Sequence, residues 1–184
     1  VPAQSLKNFC EAIGVAKANS EIEISYFEHF IRDYLNMHAE RAMAVFEPLK
    51  VTITNFPDGE EEEDFEINPN DESAGKRKIT VSKNIYIDAE DFSLDPPPKY
   101  FRLKVGGYVR LKNAYIIRCD EVVTDENGKV TELKCSYVPE SRSGNDTSGI
   151  KVKGVIHWVD AATAVDCEIR KYDYLLKDDV PRSE

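Results

Sequence analysis

Two spacings of apolar residues divide the chain. Near the start, Leu6, Phe9, Cys10 and Ile13 recur at i, i+3, i+4 and i+7, the face of one amphipathic helix. Gly14 follows and predicts its end. A second helix is predicted from Ser25, with Glu28 three residues on in a capping-box pattern. Its apolar face is Phe27, Phe30, Ile31, Tyr34 and Leu35, aromatics at a spacing that predicts core rather than a ligand site. From Pro48 the period changes to two: Leu49, Val51 and Ile53 alternate with Lys50, Thr52 and Thr54, as in a half-buried strand. Further strand-like runs lie at 78–81, 84–87, 100–105, 108–111, 115–119, 121–124, 129–137, 151–159 and 167–176. Asn127-Gly128, in Asp125–Gly128, predicts a hairpin. Many short strands divided by turn signals predict a mainly β protein with an N-terminal helical segment, its strands forming a closed antiparallel barrel. Pro96-Pro97-Pro98 reads as a stiff entry to a strand, residues 160–164 as a turn, and the Ser/Gly/Asn/Asp-rich 141–149 as a mobile hairpin loop.

Length adds one constraint: 184 residues suit one domain, or one domain with an appendage. The chain begins at Val1-Pro2 with no charged and apolar leader, and reads as a piece cut from a longer protein. No apolar run approaches the roughly 18 residues of a membrane span. Cys10, Cys119, Cys135 and Cys167 are scattered without C-x-x-C spacing, which predicts reduced thiols, no zinc and a cytoplasmic setting.

Charge redraws the picture once its distribution is considered. The net charge of −10 argues against a nucleic-acid ligand for the chain taken whole. Residues 76–153, however, hold 15 Lys+Arg against 11 Asp+Glu, a net of +4, leaving 9 against 23 elsewhere, a net of −14. Much of the acid lies in Gly59–Asp64, which reads as a solvated loop, and in the C-terminal tail. A basic middle between acidic ends permits one RNA-facing surface.

Chemistry-bearing motifs are sparse. There is no G-x-x-x-x-G-K-[ST], no G-x-S-x-G and no H-E-x-x-H, and His29, His38 and His157 have no partners at catalytic spacing, so a self-contained hydrolase has no site. Binding residues are easier to nominate. Arg41 lies at the seam between helices and strands, where a guanidinium either reads a base edge or forms a surface ion pair. Arg102 and Lys104 are two apart, as are Arg110 and Lys112, so each pair shares a strand face. Tyr100, Tyr108 and Tyr115 stand near them as candidate stacking surfaces. Lys151 and Lys153, in a stretch that also holds the single Trp, are candidate phosphate contacts.

Several stretches carry a family resemblance. Lys151–Val159 resembles a K-V-K-G-V-I-H-W-V strand of the glutaminyl-tRNA synthetases. Arg41-Ala42-Met43-Ala44-Val45 followed by Pro48–Val51 is similar to that family's R-A-M-A-V junction, and Val109–Tyr115 to its V-R-L-R-N-A-Y strand. Glu168–Asp173 matches further, and the likeness runs in order through nearly the whole chain. The related glutamyl enzymes of archaeal and eukaryotic type are the alternative, and a barrel-based protein-interaction module without RNA binding a third reading.

The resemblance implies the anticodon-binding region of a class I aminoacyl-tRNA synthetase. Residues 1–45 would end a helical subdomain, 46–176 form the proximal antiparallel β-barrel of the anticodon-binding type, and 177–184 lead toward a distal barrel. The parent would use ATP and Mg²⁺ to attach glutamine to tRNA(Gln). Its H-I-G-H and K-M-S-K type motifs are absent here, so the chain alone would hold no cofactor and perform no aminoacylation. Its partners would be the tRNA(Gln) anticodon loop and the rest of the synthetase. By position, Arg41 would contact the middle anticodon base and Asn36 the end of the anticodon stem. Pro69 and Asn70 would line the anticodon pockets, Arg102 would stand near the third base, and Arg110 with Lys112 near the first. The chain departs from the family at Phe101, where the pattern has Lys, and at Lys112, where it has Arg. Lys112 lacks the bidentate fork and suits a phosphate better.

Overall fold

In the computed structural model, residues 1–17 and 19–173 are described. Helix α1 (Ala3–Ile13) and helix α2 (Ile24–His38) come first. Gly14 ends α1 at φ 67°, a left-handed conformation that favours glycine. The predicted faces meet only in part: Phe9 packs edge-on against Phe27 and Phe30, with ring centroids 5.0 and 6.0 Å apart, whereas Leu6, Cys10, Ile13 and Leu35 stay exposed and Ser5 is the buried residue of α1. The capping box does not form. Helix α2 starts at Ile24, so Ser25 already lies inside the first turn, and its hydroxyl donates to the Glu23 carboxylate at 3.1 Å instead of capping the backbone.

The remaining elements are short strands: β1 (Pro48–Ile53), β2 (Glu61–Glu66), β3 (Lys76–Val81), β4 (Asn84–Asp88), β5 (Phe92–Ser93), β6 (Leu103–Lys104), β7 (Tyr108–Leu111), β8 (Ile116–Thr124), β9 (Val130–Val138), β10 (Val155–Ile156) and β11 (Val159–Asp160). Seven form one sheet in the order β10-β7-β8-β9-β1-β4-β11. The mainly β class with two leading helices and a curled, barrel-like sheet is as expected. The alternation did not reveal that β1 pairs in parallel with β9, and β10 in parallel with β7. Strands 115–119 and 121–124 are one element, β8, interrupted by a bulge between Cys119 and Glu121. Its hairpin with β9 closes through Asp125–Lys129, with Gly128 at φ 79° and the Asp125 carboxylate accepting from the amides of Asn127 and Lys129. The expected strand 100–105 shrinks to β6. Residues 167–173 join no strand, and the rest of 167–176, with 177–184, lies outside the described residues.

The acidic run is a second correction. Glu61–Glu66 is not a loop but β2, paired antiparallel with the basic β3. Asp64 faces Lys78 and meets its ammonium at 2.6 Å, while Phe65 and Glu63 turn inward and are buried. Arg142 reaches Glu63 at 3.1 Å and compensates the buried carboxylate in part, although burial still raises its pKa.

The sheet closes by chain geometry. At one edge Ile156 pairs with Leu111; at the other Val159 pairs with Tyr86. Only His157 and Trp158 separate these strands, and three extended residue steps reach at most roughly 11 Å. The two edges must therefore lie within that distance, so the sheet curls on itself. Trp158 fills the seam: it is 0% exposed, packs edge-on against Phe65, and donates its indole N–H to the Lys112 carbonyl at 2.9 Å. Leu49, Val51, Ile53, Ile85, Ile87, Leu111 and Leu133 complete the surrounding core.

Trp158→Ala should therefore lower unfolding free energy by about 3–5 kcal/mol, the range for removing a buried large aromatic. Trp158→Phe keeps a ring without the indole N–H and should fall between that variant and the unchanged chain, as read by denaturant titration.

Candidate nucleic-acid interface

The nominated residues fall into two groups. The first forms where α2 meets the barrel. The last carbonyls of a helix have no partner within it, and here side chains from elsewhere satisfy them. The Asn36 carbonyl accepts from Arg41 Nη2 at 3.2 Å, from Asn68 Nδ2 at 3.3 Å and from Asn70 Nδ2 at 2.9 Å. The Asn36 side-chain oxygen also accepts from Arg41 Nη2 at 3.2 Å. Backbone closes the same knot, with the Arg41 amide donating to the Ile67 carbonyl at 2.7 Å. Arg41 is half-buried, and its Nε and Nη1 donate to none of the described residues. Among the described residues the guanidinium is thus held through one nitrogen. It borders a hollow of about 390 Å³ that is also lined by Glu28, Ile31, Arg32, Leu35 and Asn36.

Asn68 organises this group and escaped the sequence reading. It is 4% exposed, donates through Nδ2 to the carbonyls of Asn36 and Met37, and accepts from the Asn70 amide at 2.9 Å. Its own carbonyl accepts from Asp71, so residues 68–71 make a turn with Pro69 at the second position, where proline's fixed φ suits the turn. Asn-Pro-Asn-Asp is a turn signal that could have located this loop. What it did not show is that the first Asn is buried against a helix end. Pro69 and Asn70 are exposed on the loop's outer side.

The second group lies along the β6–β7–β10 side of the barrel. Arg102 is exposed and pairs with Asp91 at 3.1 Å, while donating to the Glu90 carbonyl at 3.3 Å. Asp91 is buried, which pushes its carboxyl pKa up against the opposing pull of Arg102. Arg110 is half-buried; its Nη1 donates to the Ser141 carbonyl at 2.6 Å and its Nη2 to the Asp146 carboxylate. Asp146 is held below its ordinary pKa, first by the hydroxyl and amide of Ser148 and then by Arg110. The 141–149 loop is therefore anchored to β7, and Arg110 is the anchor. Lys112 projects from the end of β7 into solvent, with its amide donating to the Ile156 carbonyl at 3.0 Å. Among the described residues no hydrogen bond or ion pair joins the two groups.

The tyrosines separate by burial. Tyr115 is 5% exposed, donates to Glu61 at 2.6 Å and packs against Phe56 and Tyr137, so it offers no stacking face. Burial and the Glu61 carboxylate both push its phenol pKa far up. Tyr108 stays exposed, with the Arg118 guanidinium 5.9 Å from its ring centroid. The Tyr100 hydroxyl donates to the Glu90 carbonyl at 3.4 Å. Among the described residues no group of three or more His, Cys, Asp or Glu is placed to hold a metal, and no helix is long and apolar enough to cross a membrane.

A curled, mainly β sheet follows a helical pair whose C-terminal carbonyls are tied to it by a polar knot, and comparison with known families identifies the class of this module. The chain belongs to the family "tRNA synthetases class I (E and Q), anti-codon binding domain", matched over residues 39–138, with a second model of the same description over 155–184. The proteins most similar to it include glutamine–tRNA ligases. That of Clostridium perfringens is 54% identical over 98% of this chain and 33% of its own length. That of Rhodopirellula baltica is 51% identical over 97% and 30%, and that of Pseudomonas aeruginosa 46% identical over 95% and 31%. The chain thus spans about a third of the length of these relatives.

Asn68→Ala would leave the helix-end carbonyls and the Asn70 amide short of partners, and should cost about 1–3 kcal/mol of stability. Asn70→Ala, on the exposed side of the same turn, should cost less; paired thermal melts compare the two.

Proposed function

We propose that this chain is the anticodon-reading part of a glutamine–tRNA ligase that binds the anticodon loop of tRNA(Gln) in the cytoplasm. The observation that carries this reading is the knot at Asn36, Arg41, Asn68 and Asn70, in which a guanidinium is held by one nitrogen and its other donors meet none of the described residues. The names of the relatives support glutamine over glutamate as the amino acid of the parent. On this reading Arg41 reads the middle anticodon base, Asn36, Pro69 and Asn70 line the adjoining pocket, and Arg102 and Arg110 serve the outer bases with Lys112 on phosphate. Single-stranded loop bases are splayed and read by side-chain donors, while basic strands hold the backbone. Arg102 and Arg110 enter with carboxylate partners already in place, so an incoming base or phosphate exchanges with Asp91 and Asp146. ATP and Mg²⁺ act in a part of the enzyme beyond this chain, and none of the residues here is assigned to them.

In the intact ligase, Arg41→Ala should weaken tRNA(Gln) binding by about tenfold or more and relax discrimination at the middle anticodon base, since a good bidentate contact is worth ~1–3 kcal/mol. Filter-binding titrations with tRNA(Gln), middle-base variants and tRNA(Glu) test this. Unchanged affinity and unchanged discrimination would refute the role of Arg41, and preference for tRNA(Glu) would point to the glutamyl enzyme.

A further inference from the structure

We infer that Phe101, with Lys153 beside it, forms a stacking site for one unpaired base of the bound RNA, an inference that rests on the anticodon-binding reading. Phe101 is 50% exposed although the neighbouring Leu103 is fully buried, so its ring is presented to solvent at the rim of the barrel. The Lys153 ammonium stands 5.0 Å from the ring centroid, a cation–π arrangement that steadies both side chains.

The site is built into the backbone as well. A Cβ on Gly154 would lie 1.8 Å from the Phe101 carbonyl oxygen, so the two segments touch main chain to main chain and only glycine fits. The Gly154 carbonyl accepts from the Arg110 amide at 3.1 Å, and Arg102 follows Phe101 in the chain. Phe101 therefore neighbours Arg102 along the chain and, through Gly154, the β7 backbone at Arg110, and each arginine is nominated for an outer anticodon base. On this reading an RNA strand that serves both arginines runs along the segment that presents the ring. An aromatic face takes any base, and Lys153 is placed for the adjoining phosphate. Tyr115, which the sequence offered for stacking, is buried, and Phe101 takes over that role.

The test uses the intact protein that carries this chain and a tRNA(Gln) anticodon stem-loop. Phe101→Leu should raise the Kd on the order of tenfold while Phe101→Tyr stays close to the unchanged protein, because stacking needs the ring and not merely apolar bulk. Replacing each anticodon nucleotide in turn by an abasic one should abolish the difference between Phe101→Leu and the unchanged protein at one position. Equal affinity of Phe101→Leu on the intact loop, or a difference that persists at every abasic position, would overturn the stacking site. Arg41→Ala measured alongside separates the two levels. Loss of binding there with none at Phe101 removes only the stacking site, whereas loss at neither removes the anticodon reading itself.

Discussion

The seam at Trp158 is the constraint on which the rest of the molecule depends. Val155–Ile156 and Val159–Asp160 pair with opposite edges of one sheet and are separated by two residues. That brings together edges that would otherwise present unpaired amides and carbonyls to solvent. Trp158 fills the gap and donates its indole N–H to the Lys112 carbonyl, so its packing and its hydrogen bond act on the same joint. The consequence for binding is direct. Strand β7, which carries Arg110 and leads into Lys112, is held on the barrel by β10, and the segment leading into β10 carries Lys153 and Gly154 against Phe101. A molecule that loses the seam loses the spacing of its candidate RNA contacts.

A second joint is polar. The C-terminal carbonyls of α2 must find donors, and they find Arg41, Asn68 and Asn70. The same hydrogen bonds that complete the helix also orient the guanidinium of Arg41 and fix the Asn-Pro-Asn turn. Structural satisfaction and ligand presentation are therefore one network. A buried Asn with three bonds contributes both by what it holds and by the cost of leaving its partners bare.

Particular elements show how far residue patterns reach. Helix α1 with its Gly14 stop, the alternation of β1, and the turn before β9 were all legible, because each is set by local periodicity or turn chemistry. Strand β2 was not: five of its six residues are acidic, and its strand state comes from pairing with the basic β3 and from Tyr115 and Arg142 meeting its inward side. Ser25 followed a capping pattern that the chain bypasses by entering the helix earlier. Tyr115 was offered as a stacking surface and is buried, whereas Phe101, which was noted only as a departure from the family pattern, is half exposed.

By itself the sequence determined the mainly β class, the helical start, the family likeness and the nomination of Asn36, Arg41, Pro69, Asn70, Arg102, Arg110 and Lys112. The class and the helical start follow from side-chain period and turn residues, and the roles of Asn36, Pro69 and Asn70 only from the family resemblance, all read from runs that are local along the chain. Only the tertiary structure decided that Asn68 binds the helix end to the loop, that Arg110 anchors the 141–149 segment through Asp146, and that Phe101 is exposed beside Lys153 with its backbone against Gly154. Each depends on contacts between residues tens of positions apart, such as Asn36 with Asn70 or Arg110 with Asp146. Such contacts come from strand order and sheet closure, which no single run of the chain encodes.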